Sequence, residues 1–236
     1  MTGRIEAGAS RAIDELKVRI PPLPREEWTD AAREVFAFWG EPGSWDSGSR
    51  TNTQMVFANH PKLAMAFNQF GKHLLIDSAA PPWARELATL RIAWRMRSEY
   101  EWHYHIGYAL QLGMTTDQLA AIVVGPDAGS WSELDAAVLR CVDELWENSR
   151  VTDTTWAVLA KNFTRQQLMD LIFAAGQYVV LGWAIAAFGI QLEDGVDRIG
   201  FDLRTRSGNA PGVRFKPDEV EGWADSQFEN RGAHDD

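Results

Sequence analysis

Apolar side chains recur at steps of three and four residues along most of the chain between residues 60 and 190, which is the spacing of one helix face. The first clear stripe comprises Leu63, Ala66, Phe67, Phe70 and Leu74. No segment sustains the alternation of apolar and polar residues that a half-buried strand requires. The pattern therefore predicts an all-α fold, a helical bundle, rather than an α/β sheet.

Residues that favour helix ends divide this pattern into separate elements. The candidates are Thr29, Pro82, Gly113, Ser132 and Gly189. They predict, among others, a helix over residues 99–112 and a long one over residues 165–190. The longest apolar stretch, Tyr178 to Ile190, is shorter than the roughly 20 residues that a membrane span needs. We therefore interpret it as a core helix and expect no membrane association.

The two ends of the chain differ in composition from its middle. Residues 1–27 contain Pro21, Pro22 and Pro24 and are expected to form an N-terminal arm, because proline fixes an extended backbone. Residues 200–236 are rich in turn-forming and acidic residues and are expected to form a C-terminal tail. The helical domain would then cover residues 28–199.

The net charge and the cysteine content argue against several classes of function. The formal net charge is −10, which argues against nucleic acid as a partner because phosphate binding needs clustered Lys and Arg. The one cysteine, Cys141, can form no internal disulfide and no two-cysteine redox pair. The N-terminus lacks the apolar core of a signal peptide, so we expect a cytoplasmic protein. Eleven tryptophans suggest contacts between subunits.

A polar cluster, Ser98-Glu99-Tyr100-Glu101-Trp102-His103-Tyr104-His105, carries the chemistry. On a helix, Glu101 and His105 share one face, whereas His103 points elsewhere. On a strand, Glu99, Glu101, His103 and His105 would all point one way, as metal ligands do. The apolar spacing that follows, closed by Gly113, favours the helix.

This cluster, together with Pro81-Pro82-x-x-x-Glu86 before it and Ala109-x-x-x-Gly113-Met114-Thr115 after it, resembles the carboxymuconolactone decarboxylase family. It is also similar to the alkylhydroperoxidase D motif: Glu, eleven residues, Cys, two residues, Cys, three residues, His. The matching positions are Glu86, Ser98, Glu101 and His105. The resemblance covers roughly residues 50–195. It implies an alkylhydroperoxidase D-like helical bundle, here with extended arms, that assembles as a trimer or hexamer; a dimer is the alternative.

The departures from the motif matter as much as the match. Both cysteine positions are changed, to Ser98 and Glu101. Because the peroxidase chemistry of the cysteine-bearing branch needs a thiolate and a resolving thiol, this chain is not expected to be a thiol peroxidase. The carboxylates and the imidazole remain, so any chemistry must be acid–base.

Three residues are predicted to be catalytic. His105 is the candidate general acid–base because its pKa ordinarily lies near neutrality. Glu101 would orient it or act as a base, and Glu86 corresponds to the relay carboxylate of the family. Five further residues are predicted to bind substrate: Ser98, Trp102, His103, Gln177 and Tyr178.

The sequence therefore predicts a cofactor-independent, decarboxylase-like lyase or isomerase acting on a small organic acid, lactone or enone. No metal is expected, because a carbonyl group of the substrate would stabilise the anion formed. Two alternatives stay open. One is a metal-assisted hydratase or hydrolase using Glu101, His103 and His105; the other is a non-catalytic binding protein on the same fold.

Overall fold

Helices form where the sequence places apolar stripes between capping residues, and the computed structural model describes residues 17–194 of the chain. No strand occurs in this range, so the predicted all-α fold is confirmed. The helices are α1 Asp30–Ala37, α2 Ser44–Ser47, α3 Asn52–Phe57, α4 Pro61–Lys72, α5 Pro82–Met96, α6 Glu99–Gln111, α7 Thr116–Val124, α8 Glu133–Asn148, α9 Asp153–Asn162 and α10 Arg165–Phe188.

The predicted caps act as expected. The side chains of Thr29 and Ser132 accept hydrogen bonds from the third residue of α1 and α8, satisfying backbone N–H groups that have no partner within the helix. Thr115 and Gln118 form a capping box that starts α7. Gly189 ends α10 with φ at 73°, a left-handed conformation that glycine adopts without strain.

Helix α5 is the centre of the bundle. It contacts α6, α7, α8 and α10, and nine of its fifteen residues are buried, so it is enclosed on nearly all sides. Leu87 and Leu90 of α5 pack with Ile106 of α6 and Leu139 of α8 in the main apolar core. Each such side chain contributes about 1.5–3 kcal/mol through its removal from water. This core fixes α5 against α6.

Three local features differ from the predicted pattern. The short helix α2 forms among the glycines and serines of residues 40–49, and α3 begins at Asn52, both before the first apolar stripe. Helix α4 continues into a π-helical turn, His73–Asp77. Asp170 of α10 accepts hydrogen bonds from Ser78 and the Ala79 amide just beyond this turn. These contacts between distant residues cannot be read from local periodicity.

The start of the described chain crosses the end of α10. The amides of Arg19 and Ile20 donate hydrogen bonds to the carbonyl of Phe188, and the Leu23 amide donates to Met55 of α3. Residues 1–16 of the predicted arm and the whole predicted tail, residues 200–236, lie outside the described residues. The proposed domain limits therefore stay predictions.

Helix α10 is longer than the apolar stretch that predicted it. At 24 residues it passes the length and composition test for a membrane-spanning helix, the one helix of residues 17–194 to do so. A core helix of a water-soluble bundle can pass the same test, and α10 packs on α5, α6 and α9 along one side. Its other side exposes Met169, Phe173, Val180 and Trp183. The cytoplasmic location stays a prediction.

Candidate active site

Helices α5 and α6 bring together two residues that are nineteen positions apart in the chain. His105 Nδ1 lies 2.7 Å from Glu86 Oε2, and both side chains are buried. An ionised carboxylate can only accept, so a contact with ionised Glu86 requires the imidazole proton on Nδ1. Nε2, the other ring nitrogen, makes no hydrogen bond to any residue between 17 and 194. It is therefore the atom of the pair that can exchange a proton with a ligand.

Glu101 lies one helical turn before His105 and is almost fully buried. Neither carboxyl oxygen has a hydrogen-bond partner of good geometry within the described chain. Burial raises the pKa of Glu101 to about 8, and the nearby Ser98 side chain offsets only part of this effect. A carboxyl group in such surroundings is mainly neutral at pH 7.

Helix α10 closes the site over α6. The ring of Tyr178 stands edge-on to the His105 ring, with the ring centroids 4.5 Å apart. One turn further, Gly182 faces Glu101: a Cβ atom at position 182 would lie 2.9 Å from Glu101 Oε2. The absence of a side chain at Gly182 thus leaves room for the Glu101 carboxyl group.

The other predicted binding residues are more scattered. Ser98 is the N-cap of α6 and lies beside Glu101. Trp102 is part of the main core and packs against Trp94. Gln177 points at Gly71 of α4, where its Nε2 atom is 2.6 Å from the position of a Cβ. Of the five predicted binding residues, Ser98 and Tyr178 therefore lie against predicted catalytic residues.

His103 belongs to a second cluster. Its ring packs edge-on to Tyr104, 5.4 Å between centroids, and burial lowers its pKa to about 4 even though Glu193 favours the charged form. The hydroxyls of Tyr100 and Tyr104 each donate a hydrogen bond of 2.6 Å to Glu193. The backbone amide of Asn52 donates a third one to the same carboxylate. We call these five residues the Glu193 cluster.

The Glu193 cluster has almost no signature in the sequence. The pair Tyr100 and Tyr104 has helical i, i+4 spacing, which is the one local signal of it. Glu193 lies 89 residues from Tyr104 in the chain, beyond the end of α10. Such a contact depends on how the helices pack and has no signature in a single sequence.

The side chains proposed as metal ligands do not converge on one point. Because residues 99–111 form a helix, His103 faces away from Glu101 and His105. Within residues 17–194 no three His, Cys, Asp or Glu side chains are close enough to bind a metal ion together. The prediction that Glu101, His103 and His105 share one ion is therefore wrong.

The single cysteine lies in α8, in the main core, and is 2% exposed. Burial raises the pKa of Cys141 to about 12. A thiol in this state is a poor nucleophile because the reactive form is the thiolate.

The fold agrees with that of known proteins. Residues 61–144 match the model of the carboxymuconolactone decarboxylase family, which confirms the resemblance found in the sequence. These residues include Glu86, Ser98, Glu101 and His105. No curated protein sequence is similar enough to count as a match.

Several solved structures share the architecture at low sequence identity. One is a peroxidase-related protein from Ralstonia eutropha JMP134 with an alkylhydroperoxidase AhpD core (TM-score 0.62, 15% identity, 75% of this chain and 92% of the other). A peroxidase-related protein from Silicibacter sp. TM1040 has a TM-score of 0.58 and 14% identity, and the match covers 81% of this chain and 96% of the other. The debrominase Bmp8 bound to 2,3,4-tribromopyrrole has a TM-score of 0.61 and 16% identity, and the match covers 77% of this chain and 95% of the other. At these identities the likeness establishes the fold alone.

Proposed function

We propose that this chain, whose residues 61–144 match the model of the carboxymuconolactone decarboxylase family, is a cofactor-independent lyase or isomerase that uses acid–base chemistry on a small organic acid, lactone or enone. The observation that carries this proposal is the buried 2.7 Å contact between His105 Nδ1 and Glu86 Oε2. A carboxylate that fixes one imidazole nitrogen leaves the other oriented for proton transfer.

In the proposed reaction His105 Nε2 exchanges a proton with a carbon atom next to a carbonyl group. For isomerisation, Nε2 removes the proton, the C–H electrons move into the carbonyl, and the same proton returns at another carbon of the enolate. For decarboxylation, the electrons come from the C–C bond as carbon dioxide leaves. His105 must then start as the imidazolium: it gives its Nε2 proton to the carbanion and takes a replacement proton from water. In both cases Glu86 stabilises the imidazolium.

Glu101 supports this scheme as a neutral neighbour. Both of its oxygens are buried, and Oε2 lies against Gly182, so in this proposal Glu101 does not contact the ligand directly. As an uncharged acid it adds no negative charge beside Glu86, where a developing enolate would be repelled.

The experiment that tests the proposal follows hydrogen exchange and product formation separately. In deuterated buffer, NMR would measure deuterium incorporation into an unsaturated γ-butenolide; a second assay would measure carbon dioxide release from γ-carboxymuconolactone. We expect His105→Ala and Glu86→Gln to lower the active reaction about 10²–10⁴-fold, as loss of a general acid–base does. Tyr104→Phe, in the Glu193 cluster, is the control.

Two outcomes would contradict the proposal. Equal rates for the wild type and His105→Ala would remove the imidazole from the mechanism. Absence of both reactions in the folded wild type would remove this reaction class. A non-catalytic binding protein would carry Glu101 and His105 at the surface with no cavity beside them; both side chains are buried, which counts against that alternative on the first of these two marks.

A further inference from the structure

The hydroxyl group of Tyr178 is a hydrogen-bond donor that no residue between 17 and 194 uses. Its ring is fixed edge-on against His105, and Glu86 and Glu101 are close enough to act on the phenol electrostatically. Among residues 17–194 no acceptor forms a hydrogen bond with this hydroxyl. A phenol held in position next to a catalytic imidazole, without a partner, is a preorganised donor.

The acidity of the phenol suits this use. Burial raises the pKa of Tyr178 well above its ordinary value, and the negative charge of Glu86 raises it further. The hydroxyl therefore keeps its proton throughout the neutral range. Tyr178 can then donate a hydrogen bond to an oxygen that gains negative charge, and it does not become a competing anion.

The two guanidinium groups nearby are bound to other groups, so the phenol is the donor that remains for an anionic oxygen. Arg85, the cation that acts on Tyr178, donates its own hydrogen bonds to the carbonyls of Ala80 and Leu75. Arg91 is paired with Asp143 on another side of α5. Within the described chain neither guanidinium group is placed to bind an anion at His105.

We propose that Tyr178 is a further catalytic residue, which donates its hydroxyl hydrogen bond to the carbonyl oxygen of a substrate while His105 Nε2 acts on the adjacent carbon. The inference rests on the proposed function and specifies its substrate class. The ligand is a carbonyl compound, an enone or a lactone, whose oxygen becomes an oxyanion as the bond to the leaving proton or carboxylate breaks. The oxygen keeps the electron pair until the carbon is protonated again, so the phenol proton is shared and not consumed.

Other titratable groups bear on the pH dependence of oxyanion binding. From α5 these are Arg85 and Glu86, and from α6 they are Glu101, His105 and Tyr108. From the π-helical turn, His73 pairs with Asp170, which lies eight residues before Tyr178 on α10. Ionisation of Glu101 above pH about 8 would add a negative charge beside the oxyanion. Oxyanion binding should therefore weaken above that pH in the wild type and persist in Glu101→Gln.

The test uses 4-nitrophenol, whose bound phenolate imitates an enolate oxygen and is read by its absorbance. We expect the full-length wild type to bind it, and Tyr178→Phe, which keeps the ring, to bind it about 10- to 100-fold more weakly, the usual effect of a hydrogen bond to a charged group. The matched control, Tyr104→Phe, removes a phenol that is bonded to Glu193 and should bind normally. Far-UV circular dichroism and thermal unfolding establish that each variant is folded.

Each result decides the matter. Equal affinity of the wild type and Tyr178→Phe, or no binding of the probe by the wild type, overturns the role of Tyr178. That failure is distinguishable from failure of the proposed function, which is measured by His105-dependent hydrogen exchange or carbon dioxide release. A Tyr178-dependent probe site in a protein with neither reaction would overturn only the proposed function.

Discussion

Gly182 of α10 and Glu101 of α6 share one small space. A Cβ atom at position 182 would lie 2.9 Å from Glu101 Oε2 and 2.8 Å from the terminal carbon of Met96. We therefore expect Gly182→Ala to destabilise the protein by about 1–3 kcal/mol, as overpacking of a filled interior does. Chemical denaturation would measure this change.

Gly176→Ala is the matched control for this prediction. Gly176 lies on the same helix, but nothing is within 4 Å of the position of its Cβ. Alanine there should be neutral or stabilise α10 by up to about 1 kcal/mol. Combining Gly182→Ala with Glu101→Ala should restore part of the lost stability. Equal effects of the two glycine substitutions would show that the Glu101 contact does not constrain the packing.

Glu101 should make the stability of the protein depend on pH in a defined window. The folded-state pKa is about 8, whereas an unfolded chain has a Glu pKa near 4.3. Between these values the folded protein binds the extra proton, so its free energy of unfolding falls as the pH rises, by about 1.4 kcal/mol per unit. Glu101→Gln should therefore stabilise the protein at pH 8 and have little effect at pH 4. A pH-independent difference in thermal stability would contradict this assignment.

The guanidinium group of Arg91 lies directly against the backbone at Gly125. The Arg91 guanidinium group is paired with Asp143 and donates to the carbonyls of Ile122 and Val123 at the end of α7. A Cβ at position 125 would lie 2.6 Å from it, and the φ of Gly125 is +102°. Gly125→Ala should therefore cost about 2–4 kcal/mol, from left-handed backbone strain together with displacement of a buried charge.

Gly129→Ala provides the comparison, since nothing lies within 4 Å of the position of its Cβ and its φ is not in the left-handed region. Urea unfolding of the two variants measures the difference. Equal midpoints would mean that Arg91 can move without loss.

The Glu193 cluster should delay the ionisation of two tyrosines. Burial and the hydrogen bonds to Glu193 raise the pKa of Tyr100 and of Tyr104 well above the ordinary value. Glu193→Gln removes the negative charge, so both phenols should ionise at lower pH, as measured by absorbance near 295 nm in the folded protein. Glu133→Gln, on the exposed start of α8, should leave the titration unchanged. An identical curve for Glu193→Gln would show that the carboxylate does not control these phenols.

The exposed face of α10 supports the expected homo-oligomer. Met169, Phe173, Gly176, Val180 and Trp183 follow one another at alternating steps of four and three residues, the spacing of a seam between packed helices. We expect a second copy of the chain to cover this face. Val180→Glu should then shift the sedimentation coefficient toward the monomer, and Val124→Glu, at an exposed position at the end of α7, should not. A monomeric wild type would contradict this expectation.

Periodicity and capping were enough to predict most helices and the shared face of Glu101 and His105, because both depend on residues a few positions apart. The contact between Glu86 and His105 is different: it joins two helices, and only the resemblance to a family indicated it. Tyr178 interrupts an apolar helix with a polar group, which makes it a candidate binding residue, but its contact with His105 could not be derived from the sequence. No local sequence pattern indicated the contacts of Glu193, because its hydrogen-bond partners lie on α3 and α6, far from it in the chain.

The Tyr178 and Gly182 pair has a consequence for how such a chain can vary in length. These residues are one turn apart on α10, as Glu101 and His105 are on α6. Tyr178 contacts His105, and Gly182 contacts Glu101. Inserting or deleting a single residue within either helix would rotate every later position by about 100°, and all of these contacts would be lost together. Natural or engineered insertions should therefore be tolerated in the connections between helices and rejected within 101–105 and 178–182.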